Sequence, residues 1–358
     1  MNIFLKFVFK RLAAIPVTLF IITLVLYGVV MMMPQQARID LYMPNSRSVL
    51  PGWQDRVREK IVERHHLDDS FPAQYYFWVR SLFEGDWGYS PSLDKNVLPE
   101  LIRRTPITFE LIFYALLFQI PLGLIAGVWS ARKKDRPVDF ITRLTAFIAT
   151  SLPEFILALI LLSIFYVALR WFPPERLSMN YHLFTQTEGF KIYTGFFTID
   201  GLLNKRVDIS LDAFRHLILP IFTLGFSHWA ILARITRIQV LEELKKEYIT
   251  AAYARGLGEK KVIWRHAFRN ALGPVLTSSA ISAATLVTSV YIVEKIFNLK
   301  GVSDLVTKYG PMVPDAAAVL GFAVYSTLIV LALMLLLDIL QAIFLPQIKE
   351  ETFNNEIV

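Results

Sequence analysis

Few residues in this chain have both the type and the spacing for covalent chemistry. Gly256-Leu257-Gly258-Glu259-Lys260-Lys261 combines glycines and lysines, but a phosphate-cradling loop needs a different spacing and a Ser or Thr after its lysine. The chain has neither a His-Glu-x-x-His helix nor a Gly-x-Ser-x-Gly elbow. Its 6 histidines are scattered, apart from the adjacent His65 and His66, which sit in a charged helical pattern where solvation is the ordinary state. The absence of cysteine excludes disulfides, thiolate metal sites and cysteine nucleophiles. We therefore expect no catalytic residue, no metal site and no cofactor.

The remaining candidates are ionisable residues in apolar surroundings: Glu110, Glu154, His228 and Asp338. Such a group inside a bilayer costs a few kcal/mol or more, so each is a functional candidate. Glu154 follows Pro153, whose ring frees a backbone carbonyl. Breaks of that kind are tolerated where they line a cavity. Two readings of Glu154 stand: it faces a water-filled path, or it pairs with a neighbouring helix. Glu110 is expected to reach the external interface and His228 to pack neutral. Asp338 lies roughly 12 Å along a helix from Pro346, which places it against another helix.

These residues need membrane spans to position them. The chain has 358 residues, 54% hydrophobic and 19% charged, and the apolar ones fall in long runs. A spanning helix takes about 20 such residues. Six segments qualify: Leu12–Met33, Ile107–Trp129, Leu144–Leu169, His216–Ala233, Pro274–Val293 and Ala316–Leu345. The first is too long for a signal peptide and ends in Met31-Met32-Met33-Pro34, with no small-residue cleavage site. The net charge of +7 raises nucleic acid as a partner, but the basic residues flank apolar spans. We expect no nucleic-acid binding.

Basic residues also orient the chain. Lys6, Lys10 and Arg11 precede the first span, Arg132, Lys133, Lys134 and Arg136 follow the second, and a run from Arg234 to Arg269 follows the fourth. All three fall on one side of a six-span chain. We assign that side, with both termini, to the cytoplasm. Residues 1–33 then form the cytoplasmic N-terminus and first span, 34–106 an external subdomain, and 107–358 the remaining membrane domain. The last contains an external insertion, 170–215, and a cytoplasmic loop, 234–270.

That loop is the most informative stretch. Leu241, Leu244, Tyr248, Ala251, Ala252 and Arg255 share one helical face by three-and-four spacing. Gly256 then ends the helix. A second helix places Trp264, Phe268 and Ala271 on one face, and Pro274 opens the next span. The pattern alone leaves two roles open: docking into a partner's groove, or lying on the membrane surface.

The stretch EYITAAYARGLGEKKVIWRHAFRNALGPVL, 247–276, resembles the cytoplasmic loop of ABC-importer permeases of the dipeptide/oligopeptide type. That family's Glu-Ala-Ala–three residues–Gly signature corresponds here to Thr250, Ala251, Ala252 and Gly256, with Thr250 replacing the glutamate. Further matches follow in order. They include Gly85-Asp86-Trp87-Gly88-Tyr89-Ser90, Thr105-Pro106-Ile107-Thr108-Phe109-Glu110-Leu111, Ser151-Leu152-Pro153 and Ala233-Arg234-Ile235-Thr236-Arg237. The insertion 170–215 looks longer than usual, and Lys300-Gly301 replaces a usual Pro-Gly.

The resemblance implies an all-α, six-span, type I importer permease that is not itself an enzyme. It implies a second, homologous permease subunit, two ATPase subunits on the cytoplasmic side and an external solute-binding protein. Thr250, Ala251, Ala252, Arg255, Gly256 and Glu259 would couple to the ATPases, with Ala251 and Ala252 at the closest approach. Peptides lead as cargo, and relatives of this type also carry nickel chelates or oligosaccharides. A secondary transporter would instead want paired broken helices and repeats, which the sequence does not display.

Overall fold

A computed structural model describes residues 3–40, 42–43, 52–307 and 315–344. Met1, Asn2 and everything from 345 onward lie outside the described residues, so both termini assigned to the cytoplasm do too. The side chains of Lys6, Lys10 and Arg11 are also outside them. We number the longer helices α1 Ile3–Met31, α2 Trp53–His65, α3 Phe71–Phe83, α4 Val97–Arg132, α5 Pro137–Ser151, α6 Glu154–Leu161, α7 Val207–Glu243, α8 Glu247–Ala254, α9 Phe268–Ile296 and α10 Ala316–Phe344. The strand pair among the described residues is antiparallel: β1 Tyr89–Ser90 with β2 Lys95–Asn96.

By length and composition α1, α4, α7 and α10 can each cross a membrane. The expected third span, Leu144–Leu169, is not one straight helix. It breaks at Leu152-Pro153, and the segments on either side meet at 103°. The cause is local. A residue before proline is pushed out of the α region, and Leu152 sits at φ −92°, ψ 120°. Counted as one span, the bent pair brings the number to five. The expected span Pro274–Val293 lies within α9, whose 29 residues reach about 43 Å. Pro274 is inside that helix rather than at its start, because helical backbone already begins at Glu259 and passes through a π-helical stretch, Val262–Ala267.

The chain forms two compact units, one of Met1–Val8, Ile107–Leu299 and Ala332–Val358, the other of Phe9–Pro106 and Lys300–Leu331. In the second unit, Asp315 accepts hydrogen bonds from the hydroxyls of Ser90 and Ser92 and from the Ser92 amide. Arg104 pairs with Asp304, and Thr105 meets the Tyr325 hydroxyl at 2.7 Å. These bonds join a late segment to the early one. The sequence-based boundaries kept 34–106 and 300–331 in separate domains.

In the first unit, α4, α6, α7 and α9 contribute Leu111, Leu157, Leu224 and Val290 to the main apolar core. Glycines let α4 and α7 approach closely. A Cβ on Gly127 would lie 2.5 Å from the Thr236 Cβ and 2.6 Å from the Ala233 carbonyl oxygen. Small residues bring membrane helices together in this way.

The insertion 170–215 is organised by buried carboxylates. Glu110 does not simply reach the interface. It is buried, accepts from Arg176 at 2.6 Å and from the Thr198 amide and hydroxyl at 3.0 and 2.8 Å. Asp200 accepts from the Thr194 amide and hydroxyl and the Gly195 amide. Asp338 is buried as expected.

Candidate functional site

Two places gather the residues singled out above. The first is the hairpin after α7. A single helix carrying Leu241 through Arg255 does not form. The helix α7 stops at Glu243 and α8 starts at Glu247. Glu243 accepts from Lys246 Nζ and from the Tyr248 hydroxyl, both at 2.6 Å. Burial, reinforced by that bond, pushes the Tyr248 phenol up to about 12.

After α8 the chain reverses at Gly256, where φ is +75° and a Cβ would find nothing within 4 Å. That backbone region is costly for any residue with a Cβ, even in open space. The turn therefore rests on glycine as its pattern implied. Glu259 follows, with the Arg132 Nε 3.2 Å from its carboxylate. That bond, helped by nearby Lys133 and Arg136, holds the Glu259 carboxyl below the usual carboxylate range.

The residues of α8 and of the turn after it divide between exposed and buried positions. Thr250, Ala251, Tyr253, Arg255, Gly256 and Glu259 are exposed. Ala252 is not: it packs with Val128, Ala131, Ile249, Val262 and Ile263 inside this chain. Ala252 thus differs from the expectation that both alanines face outward. Ala252 sits on the side of α8 that meets Val128 and Val262, while its neighbours Ala251 and Tyr253 are exposed. Of the two alanines in the motif, Ala251 is the exposed one.

The second place lies at the break before α6. Glu154, half-buried, accepts from Ser289 Oγ on α9 at 3.1 Å. His228 on α7 is buried, and its Nδ1 lies 2.8 Å from Ser282 Oγ on α9. The His228 Nε2 has no hydrogen-bond partner among the described residues and lies 3.8 Å from Glu154 Oε1. Around them, Ser151, Thr285 and Thr288 are exposed.

Sequence reasoning weighed Glu154 and His228 one at a time and did not single out Ser282 and Ser289. The available signal was their spacing of seven, which places both on one helix face. It also missed Asp139. That residue is fully buried and accepts from Arg237 Nε and Nη2 at 2.6 and 2.8 Å, from the Ser130 hydroxyl and from the Asp135 amide.

None of this geometry assembles a nucleophile with a base and an oxyanion site. It presents a basic-flanked hairpin and a polar break between apolar helices. Residues 119–350 match the family described as binding-protein-dependent transport system inner membrane component. The chain is 32% identical to the di/tripeptide transport system permease protein DppB of Pseudomonas aeruginosa, over 97% of this chain and 99% of that one. It is 33% identical to the probable D,D-dipeptide transport system permease protein DdpB of Escherichia coli, over 82% and 85%. It is 30% identical to the oligopeptide transport system permease protein AppB of Bacillus subtilis, over 82% and 85%.

The chain belongs to this family of inner-membrane permease components, within its dipeptide/oligopeptide ABC-importer branch. Members of the family are membrane permease subunits and not themselves catalytic.

Proposed function

We propose that this chain is one permease subunit of an ATP-driven importer of di- and oligopeptides. It crosses the membrane six times, with the bent α5–α6 segment and α9 completing the four apolar helices. Its hairpin side is cytoplasmic, and both 34–106 and the insertion 170–215 are external. A second, similar permease subunit completes the path, two ATPase subunits bind the cytoplasmic face, and an external solute-binding protein delivers the peptide.

The observation that carries this reading is the outward face of α8, with Thr250, Ala251, Arg255 and Gly256 exposed on a hairpin braced from within by Ala252. Small outward residues allow a helix to seat closely in a groove. Closure of the ATPases on ATP would push this hairpin. Its brace to α4 through Arg132 and Glu259 would carry the motion into the membrane helices.

The test is Ala251→Trp in the full transporter, reconstituted with its partners. Transport and substrate-stimulated ATP hydrolysis are measured together. Loss of assembly, or hydrolysis without uptake, is the expected outcome. A hairpin that merely lies on lipid would tolerate or favour tryptophan at the interface. Wild-type values for both activities would remove the coupling role.

A further inference from the structure

The Glu154–His228 arrangement carries an inference about what passes beside it. Among the described residues, Glu154's partners are the neutral hydroxyl of Ser289 and the ring of His228; no lysine or arginine pairs with it. A carboxylate at membrane depth without a cation is costly. The His228 ring is fixed by its Nδ1 contact with Ser282. A neutral ring that donates from Nδ1 keeps a lone pair on Nε2. Among the described residues that nitrogen is buried and unpartnered, and it lies 3.8 Å from Glu154 Oε1. With Nδ1 as the donor to Ser282 Oγ, Glu154 Oε1 and His228 Nε2 are two acceptors 3.8 Å apart, which cannot bond one another. A group with several N–H donors and a positive charge satisfies both. An ammonium has three donors and no acceptor.

Access comes through Glu154, whose side chain is 18% exposed and is reached by Ser289 of α9.

We propose that Glu154 and His228 form an ammonium-binding site that receives the protonated amino terminus of a peptide during transit. The proposal rests on the peptide-permease reading above. Glu154 supplies the charge and His228 the second acceptor, while Ser282 sets the orientation of the ring. Glu154 and His228 by themselves are too few to enclose a metal ion, and an ammonium is the class that such a pair can hold.

The experiment uses the complete transporter in proteoliposomes with one binding protein throughout. Uptake is compared for a dipeptide and its N-acetylated analogue in wild type, Glu154→Gln, Glu154→Asp and His228→Asn. Charge-assisted hydrogen bonds of this kind are worth about tenfold or more in binding. We expect Glu154→Gln to lower the free-amine to N-acetyl uptake ratio about tenfold. His228→Asn should lower it less, and Glu154→Asp should largely preserve it. Because the binding protein is constant, a change in the ratio between variants reports on the permease. Equal losses for both peptides would assign these residues a packing role and overturn the site. An unchanged ratio would overturn it as well. A wild-type transporter that carries neither peptide would instead overturn the peptide reading, and the amino-terminal ligand with it.

Discussion

The fully buried Asp139 accepts two hydrogen bonds from Arg237, 98 positions away in the chain. The pair ties the start of α5 to the half of α7 next to the hairpin. Ser130, near the end of α4, adds a third bond to the same carboxylate. One carboxylate thus joins three helices next to the hairpin.

Removing one partner should leave the other buried and unpaired. Breaking such a pair costs roughly 3–5 kcal/mol, whereas replacing both partners with apolar groups can be nearly neutral. We expect Arg237→Met alone to lower the thermal unfolding midpoint in detergent sharply. Asp139→Leu with Arg237→Met should recover a large part of the loss. If the double variant is as unstable as the sum of the two single ones, the pair contributes nothing as a pair.

The contact at Gly127 gives a second expectation. A new Cβ would meet the Thr236 Cβ at 2.5 Å and backbone oxygen at 2.6 Å, and neither is the tip of a flexible side chain. The helices α4 and α7 would have to separate. Overpacking of this sort costs about 1–3 kcal/mol. Gly127→Val should reduce folded yield and lower the unfolding midpoint. Gly28→Val, where nothing lies within 4 Å, serves as the control. Equal behaviour of the two variants would count against the close approach.

His65 in the other unit predicts a pH dependence. It stacks on Tyr42 with ring centroids 4.0 Å apart, on the wall of a cavity of about 400 Å³. Burial, with Arg64 beside it, pulls the imidazole down from 6.5 to about 4. The folded protein therefore resists a proton that the unfolded chain accepts. This contribution to stability is complete above pH 6.5 and is lost as pH falls from 6.5 toward 4. The limiting slope is about 1.4 kcal/mol per pH unit for one proton. His65→Gln should flatten the dependence of the unfolding midpoint between pH 6.5 and 4. A variant with the wild-type slope would exclude His65 as the source.

Topology is open to direct measurement because the chain has no cysteine. Single cysteines at Lys260 and at Lys191 should behave oppositely toward an impermeant thiol reagent in cells with a permeabilised outer envelope. We expect labelling at Lys191, in the insertion, and protection at Lys260, on the hairpin, until the membrane is opened. Labelling at Lys260 in sealed cells would reverse the orientation proposed here.

Features that depend on local pattern were legible in the residues alone. Apolar runs of about 20 residues require burial in lipid whatever surrounds them, so α1, α4 and α10 could be read directly. Gly256 was legible as a turn because a positive φ is a local demand. The ordered family motifs marked the branch. Features that depend on residues far apart in the chain emerged only with the packing of the helices. Ala252 faces inward because Val128 and Val262 come to meet it. Glu110 is paired because the insertion folds back and brings Arg176 and Thr198 to it. Glu154 gains Ser289, 135 positions away, and lies beside His228 only because Pro153 bends the chain by 103° into α7 and α9. A periodicity reports which face of a helix is apolar. It carries no record of which distant helix will cover that face, and the pairing of charges follows from that packing.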